Sequence, residues 1–514
     1  MFSRRYVVKF SAAAPVAAAL GTLLMQRCEL IQANSPEVAH FHVPLPIPPV
    51  LRPVRSDDEA DYYEITQREA QVEILPGLHT TVWGYEGIFP GPTIKARHGR
   101  TTVIRHLNRL AIPTVVHLHG GATPSESDGF PTELQIPDGH PSYVLQSAMC
   151  DVTPSSSDPG HGDRSRSSNS TRTYVYPNKQ RAATLWYHDH AMGFNGRNIY
   201  MGLAGLYLIE DEEEAALPLP RGICDIPLML FMRTFGADGA LVYNSVGHTG
   251  AQGDVMLVNG APWPRLEVAR RKYRFRILNA SNATTFRLAL SSGKPLVQIA
   301  TDGGLLPEPV TSPSIPLAMA ERVEVVIDFA EYSSGSTLVL QNLEMAGVLG
   351  KIMRFDVTGP EVHDDSSVPQ RLATMTALRP EAAVRTREFR FGGITAFNMP
   401  PVAWAINGNR FDPCRVDAAP RLGDTEIWHF YNSPSRFHSR IHPPHIHLVQ
   451  FQILERNGKA PYSHETGWKD TLRLEPGEDA RVIMRFGGYK GRYILHCHNL
   501  EHEDYEMMAR FDVV

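Results

Sequence analysis

The residues with chemistry in them crowd the C-terminal end, in Ile494-Leu495-His496-Cys497-His498-Asn499-Leu500-Glu501-His502-Glu503-Asp504-Tyr505-Glu506-Met507. A strand alternates its side chains, so His496 and His498 would point one way and Cys497 the other. One short segment can then feed two separate sites. On the Cys497 side, His502 and Met507 add an imidazole and a thioether if the chain loops back after the strand. A thiolate with two imidazoles and a long, weak axial Met is the blue-copper electron-transfer arrangement. One imidazole is missing from that set.

His442-Pro443-Pro444-His445-Ile446-His447 can supply it. His445 and His447 share a face at i, i+2. His442 has the other parity and precedes the strand proper, free to turn toward Cys497. The expected type 1 copper set is therefore His442, Cys497, His502 and axial Met507. Upstream lie two further pairs, His117-Leu118-His119 and His188-Asp189-His190, in strand-like runs from Thr114 to His119 and from Ala183 to His190. With His445, His447, His496 and His498 they make eight imidazoles, too many for one metal and suited to a cluster of three. A single His-x-His pair is most often a surface pair or a hydrogen-bonded buried ring. Four such motifs at the two ends of a long chain, one with Cys inserted and Met ten residues on, do not fit that bland reading.

These motifs resemble those of the multicopper oxidases. The wording His117-Leu118-His119-Gly120-Gly121, Trp186-Tyr187-His188-Asp189-His190-Ala191-Met192 and His502-Glu503-Asp504-Tyr505-Glu506-Met507-Met508 is similar to the branch of bacterial spore-coat laccase, bilirubin oxidase and phenoxazinone synthase. The similarity runs from about Glu64 to Val514. It implies four copper ions, one type 1, one type 2 and two type 3. By the same resemblance His117 and His445 would hold the type 2 copper. His119, His188 and His498 would hold one type 3 copper, and His190, His447 and His496 the other. Dioxygen reduction to water consumes protons as well as electrons, and Glu503 and Asp128 match the acids to which the branch assigns proton supply. For each, the bland reading is a solvated carboxylate or a group that orients a His.

The elements that must position these ligands are short strands. At 514 residues the chain exceeds one ordinary core, and 40 Gly with 40 Pro favours turns and strands over long helices. Period-two patterning appears in Thr101 to Leu107, Leu203 to Ile209, Lys272 to Leu278, Arg322 to Phe329 and Ala509 to Val514. The expected fold class is all-β, with three Greek-key β-sandwiches that the resemblance makes cupredoxin-like domains. The divisions are residues 34–211 and 386–514 as ligand-bearing domains, 212–358 as a structural domain holding its neighbours together, and 359–385 as a polar linker. Pro44 to Val54 should run extended along a domain surface. Cys150 to Thr173, rich in Ser, Asp, Gly and Arg, reads as a surface loop.

Residues 1–33 read as an export segment. Ser3-Arg4-Arg5-Tyr6-Val7-Val8-Lys9 before an Ala-rich apolar run resembles a twin-arginine signal, with cleavage expected near Ala33. The twin-arginine translocation machinery is the expected partner, and the destination periplasmic, cell-surface or extracellular. The run is too short and broken to span a bilayer, so no stable membrane insertion is expected. A net charge of -5 gives no basic field for nucleic acid. Five cysteines are too few for a disulfide scaffold. Cys150, Cys224 and Cys414 allow one disulfide and one free thiol, or three buried thiols.

The function expected is one-electron oxidation of phenols or aromatic amines with reduction of dioxygen. Small aromatic donors would meet the chain beside His442, near Phe437, His438, Arg440 and Tyr431. A cuprous or other metal-ion oxidase for copper tolerance ranks second, because the 16 Met are scattered rather than gathered in an insertion. Bilirubin-oxidase-like activity is a further alternative. A simple copper electron carrier would not need eight extra histidines, and a two-domain nitrite reductase would not need paired ligands at both ends. Axial Met507 rather than Leu or Phe implies a type 1 potential at the modest end.

Overall fold

The computed structural model describes residues 35–137, 170–245, 249–394, 403–433 and 440–514. The export segment and most of the Cys150 to Thr173 stretch lie outside the described residues.

Three β-sandwiches follow one another along the chain, each built from two sheets. The first joins a five-stranded and a four-stranded sheet, the second a seven- and a five-stranded sheet, the third a five- and a three-stranded sheet. All three repeat one pairing: an opening strand lies parallel to a later strand of its own sheet. The pairs are Ala60–Glu73 with Thr101–Asn108, Asp225–Arg233 with Lys272–Asn279, and Ala383–Ile394 with Thr425–Asn432. Parallel neighbours need a crossover rather than a hairpin, which is why each domain must use both of its sheets. The alternation read in Thr101–Asn108 is real: its burial switches residue by residue, with Thr102, Ile104 and His106 inside.

Several boundaries move. The strand Thr171–Tyr176 begins three residues inside the stretch read as loop; it pairs with Thr101–Asn108 and buries Tyr174 and Tyr176. Its Thr-Arg-Thr-Tyr-Val-Tyr alternation begins where the polar bias ends, so the loop stops before Thr171. The linker at 359–385 is consumed from both sides, by the strands Lys351–Glu361 and Ala383–Ile394. Between them Leu372 and Ala373 are buried against the middle domain. Pro44 to Val54 runs extended as expected and ties two domains: Leu45 N–H donates to Arg265 O, and Leu51 N–H to Thr93 O.

The first and middle domains share one apolar core, in which Val82, Trp186 and Leu206 pack with Leu228, Phe231 and Val258. Such a continuous core fixes the two as one unit, since each fully buried large side chain contributes roughly 1.5–3 kcal/mol. The third domain has its own core, and Cys497 and Met507 are part of it. No helix among the described residues is long and apolar enough to cross a membrane. Cys414 is disulfide-bonded and Cys224 is a buried free thiol; Cys28 and Cys150 lie outside the described residues.

Candidate metal centre

The four-stranded sheet of the first domain and the three-stranded sheet of the third present histidines to each other. In the first, the edge strand Val116–His119 runs antiparallel to Ala183–Asp189, with His117 opposite His188. In the third, Pro444–Ile446 runs antiparallel to Gly491–Cys497, with His445 opposite His496 and Pro444 opposite Cys497. The same device is used twice, a short His-x-His edge laid against a second His-x-His strand. Register explains the pairing, because i, i+2 residues share one face and cross-strand partners share it too.

The eight rings meet and are all buried. Donor atoms of His119, His188 and His498 lie within 4.8 Å of one another, as do those of His190, His447 and His496, and those of His117, His119 and His445. His117 stacks on His447 and His119 on His445, each with ring centroids 3.7 Å apart. Each stack joins a first-domain ring to a third-domain ring.

Nearby groups fix which nitrogen each ring turns inward. His117 Nδ1–H donates to Asp128 O at 2.6 Å and His188 Nδ1–H to Asp189 O at 2.7 Å. His445 Nδ1–H donates to Asp470 O at 2.9 Å. In all three the Nε2 is buried with no hydrogen-bond partner. His119 is reversed: its Nε2 meets Asp470 Oδ1 and Thr471 Oγ1, both at 3.1 Å, and its Nδ1 is the unsatisfied atom. His447 Nδ1–H donates to Asp128 Oδ2 at 2.7 Å, and His496 Nδ1 lies 3.1 Å from Glu503 Oε2. Those two rings therefore aim Nε2 lone pairs at each other across 3.2 Å, with His190 Nε2 3.3 Å from that of His496.

Facing lone pairs repel, and a buried polar atom without a partner costs about 1–3 kcal/mol. A divalent cation relieves both penalties at once. Burial, followed by neighbouring imidazoles, holds His117, His119, His188, His445 and His447 well below their ordinary pKa, and burial above all holds His190 at about 4 and His498 at about 3. Rings kept neutral are in the form that binds metal. The donor set fits copper.

The second group sits on the other side of the same strand. Cys497 Sγ lies 3.4 Å from His442 Nδ1 and 3.7 Å from His502 Nδ1, and the two ring nitrogens are 3.1 Å apart. The return of the chain is made by the helix Leu500–Asp504, whose cap Asn499 accepts from His502 N–H, and by Glu506 at φ 76. Cys497 N–H then donates to Met507 O at 3.1 Å. Met507 is fully buried in the core that holds Cys497, and Trp404 lies against His502 with centroids 3.8 Å apart. Burial pushes the Cys497 thiol far up, so a metal must draw off its proton. Of the surface residues named for the donor, Tyr431 hydrogen-bonds His429 at 2.7 Å beneath the Arg390 guanidinium, and Arg440 is exposed. Phe437 and His438 lie outside the described residues.

Both predicted acids touch the nest. Glu503 reaches His496 and, at 3.4 Å, His190 Nε2. Burial pushes its pKa up, but the His496 and His190 imidazoles outweigh this and hold it at about 2. Asp128 touches two rings, through its carbonyl and its carboxylate, and burial raises its pKa well above the ordinary range. Sequence reasoning missed Asp470 and Thr471. In Trp468-Lys469-Asp470-Thr471 they look like any polar turn, and only contact across 351 residues reveals them.

The comparisons agree with this geometry. Two multicopper oxidase family models match, one over residues 390–514 and the other over 66–146 and 159–214. A laccase of Bacillus subtilis is 36% identical over 530 aligned residues, which cover 91% of this chain and 97% of that protein. A bilirubin oxidase of Albifimbria verrucaria is 36% identical, covering 93% of this chain and 82% of that one. Among solved structures, a laccase of Pediococcus acidilactici superposes with a TM-score of 0.80 at 31% identity, over 94% of this chain and 95% of that one. The McoA multicopper oxidase of Aquifex aeolicus gives 0.77 at 31%, over 91% and 99%. With ligand spacing, nitrogen geometry and these likenesses in agreement, the chain belongs to the multicopper oxidases, copper-dependent oxidoreductases that use dioxygen.

Proposed function

We propose that this laccase-like oxidase takes single electrons from phenols or aromatic amines and reduces dioxygen to water with four copper ions. The reading assigns the type 1 site to His442, Cys497, His502 and Met507. It assigns the type 2 site to His117 and His445, and the two type 3 sites to His119, His188 and His498, and to His190, His447 and His496. Copper held there supplies one-electron redox chemistry at the thiolate and dioxygen reduction at the histidine nest. The observation that carries the reading is the set of buried, unpartnered ring nitrogens converging from two domains.

The protein's own contributions are orientation and proton supply. Asp128, Asp189 and Asp470 hold histidine N–H groups outward so that lone pairs face inward. Cys497 lies between His496 and His498 in sequence, so the connection from the thiolate site to the nest is one residue of backbone in each direction, on the order of 10 Å. Glu503 and Asp128 stand within reach of the nest and are the groups through which protons enter. The donor gives up its electron at the edge beside His442. A cuprous or other metal-ion oxidase for copper tolerance ranks second, because the 16 Met are scattered rather than gathered in an insertion. Export through the twin-arginine machinery to the periplasm, cell surface or exterior belongs to the same proposal and rests on Arg4 and Arg5.

Copper loading of the purified mature chain tests the assignment. The expected result is about four coppers per chain, an intense absorption near ~600 nm from thiolate-to-copper charge transfer, and uptake of dioxygen with 2,6-dimethoxyphenol without release of peroxide. One copper and no dioxygen uptake would sink the cluster.

A further inference from the structure

The middle domain supplies no histidine to the nest, yet one of its side chains reaches the nest's supports. Arg322 opens the strand Arg322–Asp328 and is fully buried. Its Nη1 donates to Asp470 Oδ1 at 2.7 Å and its Nη2 to Asp470 Oδ2 at 2.5 Å, the two-pronged match of a guanidinium to a carboxylate. Asp470 is the residue that receives His119 through its carboxylate and His445 through its carbonyl. One third-domain aspartate thus sets opposite nitrogens of two stacked rings, and the arginine that holds it comes from a different domain.

The rest of the surroundings is built for this contact. Arg322 Nε donates to Thr184 O at 2.9 Å, on the strand that carries His188. Its own N–H donates to Asp302 Oδ1 at 2.7 Å, and Lys469 Nζ bridges Asp302 Oδ2 at 2.9 Å and Glu321 Oε1 at 3.0 Å. A Cβ at residue 120, one past His119, would sit 2.6 Å from Arg322 Nη2 and 2.7 Å from Asp470 Oδ2. Gly120, at φ +83, leaves the guanidinium its path. Fully buried ion pairs are poor stabilisers compared with apolar packing, so a cluster of this kind at the meeting point of three domains calls for another function.

We propose that Arg322 is a positioning residue for the copper-binding histidines. By clamping Asp470 it keeps His119 turned with Nδ1 inward and His445 with Nε2 inward. The middle domain is then part of the ligand-orienting apparatus and not only a spacer. Without the guanidinium, the Asp470 carboxylate keeps the Thr471 hydroxyl at 3.0 Å but loses both prongs of its clamp, which loosens its hold on His119 and, through the Asp470 carbonyl, on the type 2 ligand His445. Cys497, His442 and His502 have no contact with Arg322 and keep their geometry.

The proposal rests on the copper reading of the nest, and the experiment separates the two. The full chain and its Arg322→Met and Arg322→Lys variants are copper-loaded and compared by metal content, EPR and visible absorption. The Met variant should lose or visibly alter the type 2 EPR signal and drop about one copper per chain or more, with the Cys497 absorption retained. Lysine, which can pair one oxygen, should restore at least about half of the parent's type 2 signal. A merely structural residue would lower both signals together and show no such rescue. If the Met variant does not fold, Asp470→Asn decides: an altered type 2 signal beside an intact thiolate band supports the clamp. A type 2 signal identical to the parent's, in folded Arg322→Met or in Asp470→Asn, overturns it. A parent chain with no type 2 signal overturns the copper reading itself.

Discussion

The two candidate metal sites share one strand, and they are walled in opposite ways. Around Cys497 the protein is apolar and aromatic: Trp404 against His502, Phe391 facing His442, and Met507 in a core with Trp428, Phe486 and Phe511. Around the eight histidines it is acidic, with the carboxylates of Asp128, Asp470 and Glu503 each touching at least one ring. The chemistry expected of each explains the contrast. A site that only passes electrons needs a fixed shape and no protons, whereas one that makes water needs both orientation and acids. Alternation of faces along Gly491–Cys497 is what lets a single segment serve both environments.

The sharpest break in this comparison is Cys497→Ser. A hydroxyl is a poor copper ligand beside a thiolate, so donor oxidation should fall by at least about three orders of magnitude and the visible band should vanish. The nest, on the opposite face, should keep its type 2 EPR signal. Loss of both signals together would mean that the two sites are not independent walls on one strand.

The acidic side breaks more gently. Glu503→Gln and Asp128→Asn keep shape and hydrogen-bonding reach but remove a proton source and weaken a histidine support, so turnover should drop about 10- to 100-fold. The Cys497 band should not move in either variant. Unchanged turnover in both would remove these carboxylates from the reaction. On the apolar side, Met507→Leu conserves volume and costs less than about 1.5 kcal/mol of stability. Stopped electrochemical titration should show a higher type 1 potential, with turnover altered only a few-fold. A potential that stays put would mean that Met507 does not sense the copper.

What could be read along the chain was what depends on near neighbours. All twelve proposed ligand positions stand in four short motifs, so parity alone placed His496 and His498 opposite Cys497 and set His442 apart from His445. Which nitrogen His119 offers was not legible, because it depends on Asp470, 351 residues away, and on Arg322, 148 residues from Asp470. Residues that act through distant contacts carry no spacing signal. The parallel pairing common to the three domains was hidden for the same reason, since many different apolar sequences satisfy one backbone pattern. The start of Thr171–Tyr176 was lost to the composition of the stretch before it, although the strand's own alternation marks it.

The last test leaves both metal sites alone and asks whether their independence extends to the frame. At the junction of the first and middle domains, Glu214 accepts from Arg274 at 2.7 Å and Arg276 at 3.0 Å, in a cluster completed by Asp225 and Glu324. Burial pushes Glu214 up, but the two guanidinium groups prevail and hold its pKa well below the ordinary 4.5. A carboxylate depressed on folding stabilises the native state above its unfolded pKa, and the contribution fades as pH falls through the folded one. Glu214→Gln should therefore lower Tm by about 1–3 °C at pH 7, a loss of about 1–3 kcal/mol. The difference from the parent should shrink steadily as the pH is lowered below about 4.5. The Cys497 band, the type 2 signal and turnover at 25 °C should all match the parent. A Tm difference that is the same at pH 3 and pH 7 would assign the loss to packing, and an altered copper spectrum would show that this junction, like Arg322, reaches into the nest.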